Sequence, residues 1–155
     1  MNQVTVDTKK LDKLIQKLSK KAYVDIGVLE GNRYPGSKMT IAEVGAVHEF
    51  GNPELNLPER SFIRMPLEKK QNKIQKRAEK DITENMGNAE INNLLERIGN
   101  AGVAAIQESF ETGGFGTWEQ ITEATIAAKK GKESILIDTG LLRKSISYRV
   151  GGAKK

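Results

Sequence analysis

This chain of 155 residues has no cysteine and a single histidine, and aromatic residues make up only 5% of it. Without cysteine it can form neither disulfide bonds nor thiolate metal sites, and a reducing compartment suits it. Any site that requires two histidines is excluded as well. No apolar run approaches the roughly 20 residues of a membrane-spanning helix, and the first residues lack the basic and then apolar order of a signal peptide. These absences favour a protein that is made and kept in a cytoplasm.

Charged residues are abundant (29%), hydrophobic residues are few (37%), and the formal net charge is +5. This balance predicts one modest core with much solvated surface. Much of the positive charge lies in two clusters of basic residues: Lys9, Lys10, Lys13, Lys17, Lys20 and Lys21, then Lys69, Lys70, Lys73, Lys76, Arg77 and Lys80. The clusters could bind nucleic acid or an acidic protein surface, or could simply keep helix faces solvated. Aromatic residues are not interleaved with them, which disfavours a stacking platform for single-stranded bases.

Apolar residues at helical spacing predict helices over 7–21, 66–86, 89–110 and 122–129, and a further helix that begins at Ile41. The helix at Ile41 has a capping box, in which Thr40 and Glu43 can satisfy each other's backbone N–H groups. Gly51 stands where this helix should end. The segment 66–86 has too few apolar residues to be a core helix.

The segment 89–110 has the strongest helical period in the chain. We predict that it is the central core helix. It should pack on a sheet through the apolar side chains of Ile91, Leu94, Leu95, Ile98 and Ile106. Gly99 and Gly102 make its middle thin enough for close packing against a strand or another helix.

Alternating polar and apolar residues predict strands over 22–29, 60–65 and 145–150. Residues 30–38 have turn chemistry throughout and predict a projecting loop. The predicted fold class is therefore α+β, with a small, mostly antiparallel sheet packed against a long central helix, an additional polar helix and a projecting loop.

The chain is predicted to form a single domain over residues 1–150. Within it, residues 1–21 form an N-terminal arm and helix, and residues 66–110 form a helical hairpin. Residues 151–155 are a flexible tail. The glycine-rich segment 112–118 is predicted to be a flexible hinge, and residues 135–137 a strand or an extended segment.

Two short motifs resemble catalytic sequences. His48-Glu49 begins like a zincin helix, but the second histidine is missing because position 52 is Asn52. Asp138-Thr139-Gly140 has the sequence of an aspartic protease motif, but a following helical segment favours a capping role for Asp138. We therefore expect a structural role for His48, no enzyme activity, no cofactor and no metal.

We expect the surface to form protein–protein contacts and not a catalytic site. Trp118 could be an interface anchor, or it could close one end of the core. The loop 30–38 carries residue types that are favoured at interfaces. The candidate interface residues are Arg33, Tyr34, Lys69, Lys73, Lys76, Arg77 and Trp118.

Three segments carry a resemblance to a known family. Residues 42–51 read Ala-Glu-Val-Gly-Ala-Val-His-Glu-Phe-Gly, residues 58–64 read Pro-Glu-Arg-Ser-Phe-Ile-Arg, and residues 136–150 read Leu-Ile-Asp-Thr-Gly-Leu-Leu-Arg-Lys-Ser-Ile-Ser-Tyr-Arg-Val. In this order they resemble the paired signatures of the small neck proteins of long-tailed bacteriophages, which are called tail-completion, head–tail joining or virion-morphogenesis proteins. The signature residues are His48, Glu49, Phe50, Gly51, Asp138, Thr139 and Gly140.

The resemblance implies an α+β fold and a structural, non-enzymatic role at the head–tail junction of a virion that is assembled in the host bacterial cytoplasm. Such a protein completes the tail or joins it to the filled capsid as part of a ring, expected to be homo-hexameric. The implied partners are other copies of the chain, the tail terminator, the tail tube and the connector, with no membrane. A passing contact with genomic DNA in the channel is a further option.

The residues alone leave an alternative open, which is a cytoplasmic nucleic-acid-binding protein that uses its lysine-rich helices. A DNA binder should lose affinity steeply as salt rises, whereas a ring subunit should change mass with concentration.

Overall fold

The computed structural model describes residues 23–84, 91–128, 135–136 and 140–151. Its elements in chain order are β1 (Tyr23–Val28), α1 (Ile41–Phe50), a 3₁₀ turn (Pro53–Leu55), α2 (Arg64–Glu84), α3 (Ile91–Glu111), α4 (Glu123–Ala128), α5 (Leu141–Lys144) and β2 (Ile146–Gly151). This confirms the predicted α+β fold with a long central helix, which is α3. The predicted arm and helix over 1–21, and residues 152–155 of the predicted tail, lie outside the described residues.

The two strands form an antiparallel pair whose register places Ile26 opposite Tyr148. Both of these side chains face α3, as the alternation predicted. A methyl group at Gly99 would overlap the Tyr148 ring, and one at Gly102 would overlap the end of the Ile26 side chain. The two glycines therefore let α3 approach the sheet closely. Gly151, predicted as the start of the tail, is instead the last residue of β2.

The prediction of a strand over residues 60–65 is wrong. Residues 58–63 are irregular, and α2 begins at Arg64, two residues before the predicted start at Pro66. The backbone N–H groups of Phe62 and Arg64 donate to the carboxylate of Glu49 instead of to a neighbouring strand. The sheet of the described residues consequently has two strands, not three.

The predicted contact face of α3 is only partly correct. Ile106 is fully buried and Leu95 is nearly so. Ile98, however, is half-buried and lies toward α2, where it lines a narrow gap together with Ile74 and Ala78. Apolar residues recur at helical spacing on two sides of α3, because one side packs on the sheet and the other packs on α2. The spacing alone does not distinguish these two sides.

The helix α2 is the predicted polar helix, and it packs along α3. Its buried residue is Pro66, while Ile74 is half-buried against α3. Two ion pairs join the helices. Lys70 Nζ lies 2.7 Å from Glu108 Oε1, and Arg97 Nε lies 3.1 Å from Asp81 Oδ2.

None of the helices in the described part of the chain is long and apolar enough to cross a membrane.

The predicted capping box of α1 is confirmed. The Glu43 backbone N–H donates to Thr40 Oγ1 at 3.2 Å, and the Thr40 backbone N–H donates to Glu43 Oε2 at 2.6 Å. The second of these bonds stabilises the charged carboxylate and lowers the pKa of Glu43. Gly51 ends the helix with a positive φ of 71°.

Three aromatic rings form the centre of the core. Phe62 and Phe110 have ring centroids 5.3 Å apart, and Trp118 meets Phe110 edge to face at 5.9 Å. Trp118 is only 6% exposed, so it closes one end of the core and is not an exposed interface anchor. A methyl group at Gly114 would overlap the indole ring, which explains why a glycine precedes the tryptophan here.

Two connecting segments differ from the predictions. The predicted hinge 112–118 is a series of hydrogen-bonded turns in which the Gly114 N–H donates to Ser109 O at 2.7 Å. Residues 135–136 form a turn instead of an extended piece, and Leu136 has a positive φ of 57°. Ile137 lies outside the described residues.

Replacing Ile106 by alanine should lower the free energy of unfolding by about 2–5 kcal/mol, because the side chain is completely buried and would leave a cavity. Replacing Ile98 by alanine should cost clearly less, because this side chain is only half-buried. Chemical denaturation of both variants measures the difference. An equal loss in the two variants would show that the assignment of faces on α3 is incorrect.

Candidate functional site

The first signature segment holds a buried carboxylate. Glu49, in the last turn of α1, is 5% exposed. Its Oε2 accepts the backbone N–H groups of Phe62 at 2.7 Å and Ile63 at 2.9 Å, and its Oε1 accepts the N–H of Arg64 at 3.0 Å and the hydroxyl of Ser61 at 2.7 Å. We call this arrangement the Glu49 cap, since it satisfies N–H groups at the start of α2 that have no partner within the helix.

The residues around the Glu49 cap extend it. Ser61 Oγ donates to Glu49 and accepts the backbone N–H of Met65 at 3.0 Å. The positive end of the α2 dipole adds to the stabilisation of the negative charge. Gly51 brings the chain back at this point, because a Cβ there would lie 2.7 Å from Glu59 N and 2.9 Å from Leu57 O. The helix end, the return loop and the start of α2 are thereby fixed to one another.

A cavity of about 510 Å³ lies on the other side of this loop. Its described walls come from α1, from residues 55–58, 119–122 and 140–142, and from Tyr34, Arg60, Thr125 and Leu136. We call it the Arg60 cavity. The two signatures meet here, because His48 and Arg60 belong to the first and Gly140 to the second. A volume of this size lies within the range of small-ligand sites.

Arg60 is the cationic residue in the described walls of this cavity. It is only 6% exposed. Its Nε and Nη2 donate to the backbone carbonyl oxygen of Glu119 at 3.3 and 3.1 Å. Burial lowers the pKa of the guanidinium, and the charge of Glu119 works in the opposite direction. The two bonds join the loop before α2 to the segment that follows Trp118.

The sequence alone does not predict the burial of either charged residue. Glu49 stands out there only as part of the motif that begins at His48, and Arg60 falls on a predicted strand. The available signal was the sequence Arg60-Ser61-Phe62 itself, in which a cation and a hydroxyl adjoin a core aromatic residue. Only the fold shows that Glu49, twelve residues away from Ser61, satisfies this segment.

The other signature residues have separate positions. His48 lines the Arg60 cavity. Phe50 is 70% exposed and borders an apolar groove of about 320 Å³ that also includes Val28 and Ile63. Gly140 is the N-cap residue of α5 and has a left-handed backbone, φ 74°. Asp138 and Thr139 lie outside the described residues.

Residues 30–33 and 35–38 of the predicted loop are exposed, but Tyr34 is not free in it. Arg33 is exposed, whereas Tyr34 is half-buried, packs against the core and lines the Arg60 cavity. The ends of the loop are held by backbone hydrogen bonds, including one from the Ile41 N–H to Asn32 O at 2.8 Å. Arg33 therefore remains an interface candidate, while Tyr34 has a structural contact of its own.

Four lysines form a straight row on α2. Residues 69, 73, 76 and 80 are separated by four, three and four positions, so they share one side of the helix over about 16 Å. We call them the lysine row. This side lies opposite the half-buried Leu67, Ile74 and Ala78 that pack toward α3. The predicted interface residues Lys69, Lys73 and Lys76 belong to the row, and Arg77 is exposed beside it.

The lysine row has few acidic neighbours. Lys80 lies 3.6 Å from Glu84, and both side chains are well exposed. Lys69 lies 4.5 Å above the ring of Phe115, a cation–π contact. Within the described ranges no carboxylate forms an ion pair with Lys69, Lys73 or Lys76. This face of α2 therefore carries net positive charge into the solvent.

Over residues 23–84, 91–128, 135–136 and 140–151, histidine, aspartate and glutamate side chains do not come together in threes as a metal site would require. Comparisons with protein-family models, with curated proteins and with solved structures found no match for this chain.

Replacing Glu49 by glutamine should destabilise the protein by about 2–4 kcal/mol, because charge-assisted bonds are lost and an amide N–H₂ group would face backbone N–H donors. Glu54→Gln is the matched control, since Glu54 is exposed and the charge change is identical. Thermal unfolding and urea unfolding measure the stability of both variants. If the two variants were equally stable, the Glu49 cap would not be a major determinant of the fold.

Proposed function

We propose that this protein is a structural component of the neck of a long-tailed bacteriophage. It acts at the head–tail junction of the virion, where it completes the tail or joins it to the capsid. In this proposal it forms a homo-hexameric ring next to the tail terminator, the tail tube and the connector, and it has no catalytic role.

The observation that carries the proposal is the ordered set of signature segments at 42–51, 58–64 and 136–150. Their arrangement in the fold supports it. His48 and Arg60 of the first signature and Gly140 of the second line one cavity, and Glu49 fixes the segment that contains Arg60. Residues that are far apart in the sequence thus belong to one local structure. This shared structure is a reason for the signature segments to occur together in one chain.

The surface of the single chain also supports an assembly role. The exposed Phe50 beside an apolar groove, the projecting Arg33 and the solvent-facing side of α2 would all gain contacts in an oligomer. Subunits of closed rings complete part of their burial against their neighbours. A compact enzyme would more often show a cluster of titratable groups in a deep cleft.

The purified protein should form rings, visible by negative-stain electron microscopy, with a native mass that corresponds to six copies. Arg33→Glu should shift the population toward smaller species with an unchanged circular dichroism spectrum. A substitution is preferable to a deletion of the loop because Tyr34 packs against the core. Lys144→Glu, which makes the same charge change at another exposed position, should leave the rings intact. A protein that stays monomeric, both alone and inside an assembled particle, would refute the proposed ring.

A nucleic-acid-binding protein is the second candidate, and the lysine row favours it. Its four cations could contact four phosphates, which predicts that the logarithm of the affinity for duplex DNA falls with the logarithm of salt with a slope of about −3.6. Each Lys→Gln substitution in the row should make this slope less negative by about 0.9. For the proposed ring subunit we expect duplex binding too weak to measure near physiological salt. Fluorescence anisotropy at several salt concentrations separates the two candidates, with Arg143→Gln as a control away from the row.

A further inference from the structure

The guanidinium of Arg60 is only partly used by its own chain. Nε and Nη2 share one edge of the planar group, and both donate to the same oxygen, the carbonyl of Glu119. In the described part of the chain, Nη1 donates to no acceptor. The end of the guanidinium, formed by Nη1 and the second N–H of Nη2, is therefore left for another partner. This end matches the two oxygens of a carboxylate, which it can bind through two parallel hydrogen bonds.

The burial of Arg60 makes such a partner favourable. A charge that is 6% exposed has lost most of its hydration, and a single neutral carbonyl compensates only part of that loss. Glu119 acts on it only at a distance, because the described residues place no carboxylate within 4.0 Å of the guanidinium. An entering anion would pair with a cation that is already ordered and already desolvated.

The walls of the Arg60 cavity indicate what kind of anion fits. Val44, Leu57 and Leu142 supply apolar surface. Thr122 and Thr125 supply hydroxyl groups, which lie 3.0 Å from each other. With one cation in the described walls and the negative charge of Glu119 nearby, a single negative charge is better matched than the two charges of a phosphate monoester. The cavity therefore suits one carboxylate that is attached to an apolar body.

We infer that the Arg60 cavity is a binding site for a carboxylate with a short aliphatic body, which Arg60 holds by the Nη1–Nη2 end of its guanidinium. Two sources share this chemistry. One is an acidic side chain or a C-terminal carboxylate of a partner protein, and the other is a free aliphatic carboxylic acid. The site does not depend on the proposed place of the protein in a phage neck.

The test uses the full chain and two probes of the same shape, 4-methylpentanoate and its neutral amide. In ¹⁵N-resolved NMR titrations, the carboxylate should shift the backbone amides of Thr122, Thr125 and Leu142 and leave those of β1 and β2 unchanged. The amide should bind at least about tenfold more weakly, which is the loss expected for one charge-assisted hydrogen bond. Equal binding of the two probes, or no binding of the carboxylate at millimolar concentrations, would overturn the inference.

Arg60→Lys tests the geometry of the contact. It keeps the positive charge but removes the planar fork, so it should weaken carboxylate binding by about tenfold or more. Arg64→Lys is the control, because Arg64 is exposed and pairs with Glu59 outside the cavity. Unchanged binding in a folded Arg60→Lys variant would overturn the inference. If that variant does not fold, the comparison of the two probes on the unaltered chain still decides it.

A third arm distinguishes the two sources. Short peptides that end in leucine are compared as the free C-terminal acid and as the C-terminal amide, with a matched pair that carries an internal glutamate or glutamine. Tighter binding of one acidic peptide than of 4-methylpentanoate would assign the cavity to a partner protein. The reverse order would assign it to a free carboxylic acid, and either order supports a carboxylate site.

Discussion

The carboxylate of Glu49 determines the course of the chain between α1 and α2. Removing a carboxylate from water costs several kcal/mol, but each of its four hydrogen bonds involves a charged acceptor and contributes about 1.5–3 kcal/mol. The bonds are possible only if Ser61 to Arg64 curl around the end of α1. This curl starts α2, turns Phe62 into the core and points Arg60 toward the opposite side, into the Arg60 cavity.

The central helix supplies the second constraint. A two-stranded antiparallel pair is marginal by itself and needs a packed partner. Gly99 and Gly102 allow α3 to lie against Tyr148 and Ile26 without overlap, so the sheet and the helix share one apolar layer. A glycine inside a helix costs roughly 0.5–1 kcal/mol relative to alanine, which is small compared with the burial that close contact with two large side chains provides.

Local signals in the sequence predicted local structure well. The spacing of Thr40 and Glu43 predicted the start of α1, and the alternation around Ile26 predicted β1 and the side that faces the helix. The errors have a common cause in contacts between distant residues. Residues 60–65 alternate like a strand, but their backbone N–H groups are satisfied by the side chain of Glu49. The burial of Arg60 likewise depends on Glu119, 59 positions away, and no periodicity could reveal that pairing.

If the protein acts in a phage neck as proposed, this task limits which partner the lysine row can face. Each cation that contacts a phosphate releases counterions that were condensed on the DNA, so phosphate contacts from several subunits of a ring add together. A ring that presented every copy of Lys69, Lys73, Lys76 and Lys80 to the channel would retain DNA strongly and oppose its passage. Placed against acidic surface of a neighbouring subunit or ring, the same charges guide association and fix its orientation, which is the usual contribution of complementary charge at an interface. Within the proposed neck function, the lysine row is therefore better explained as a contact between proteins than as a contact with DNA.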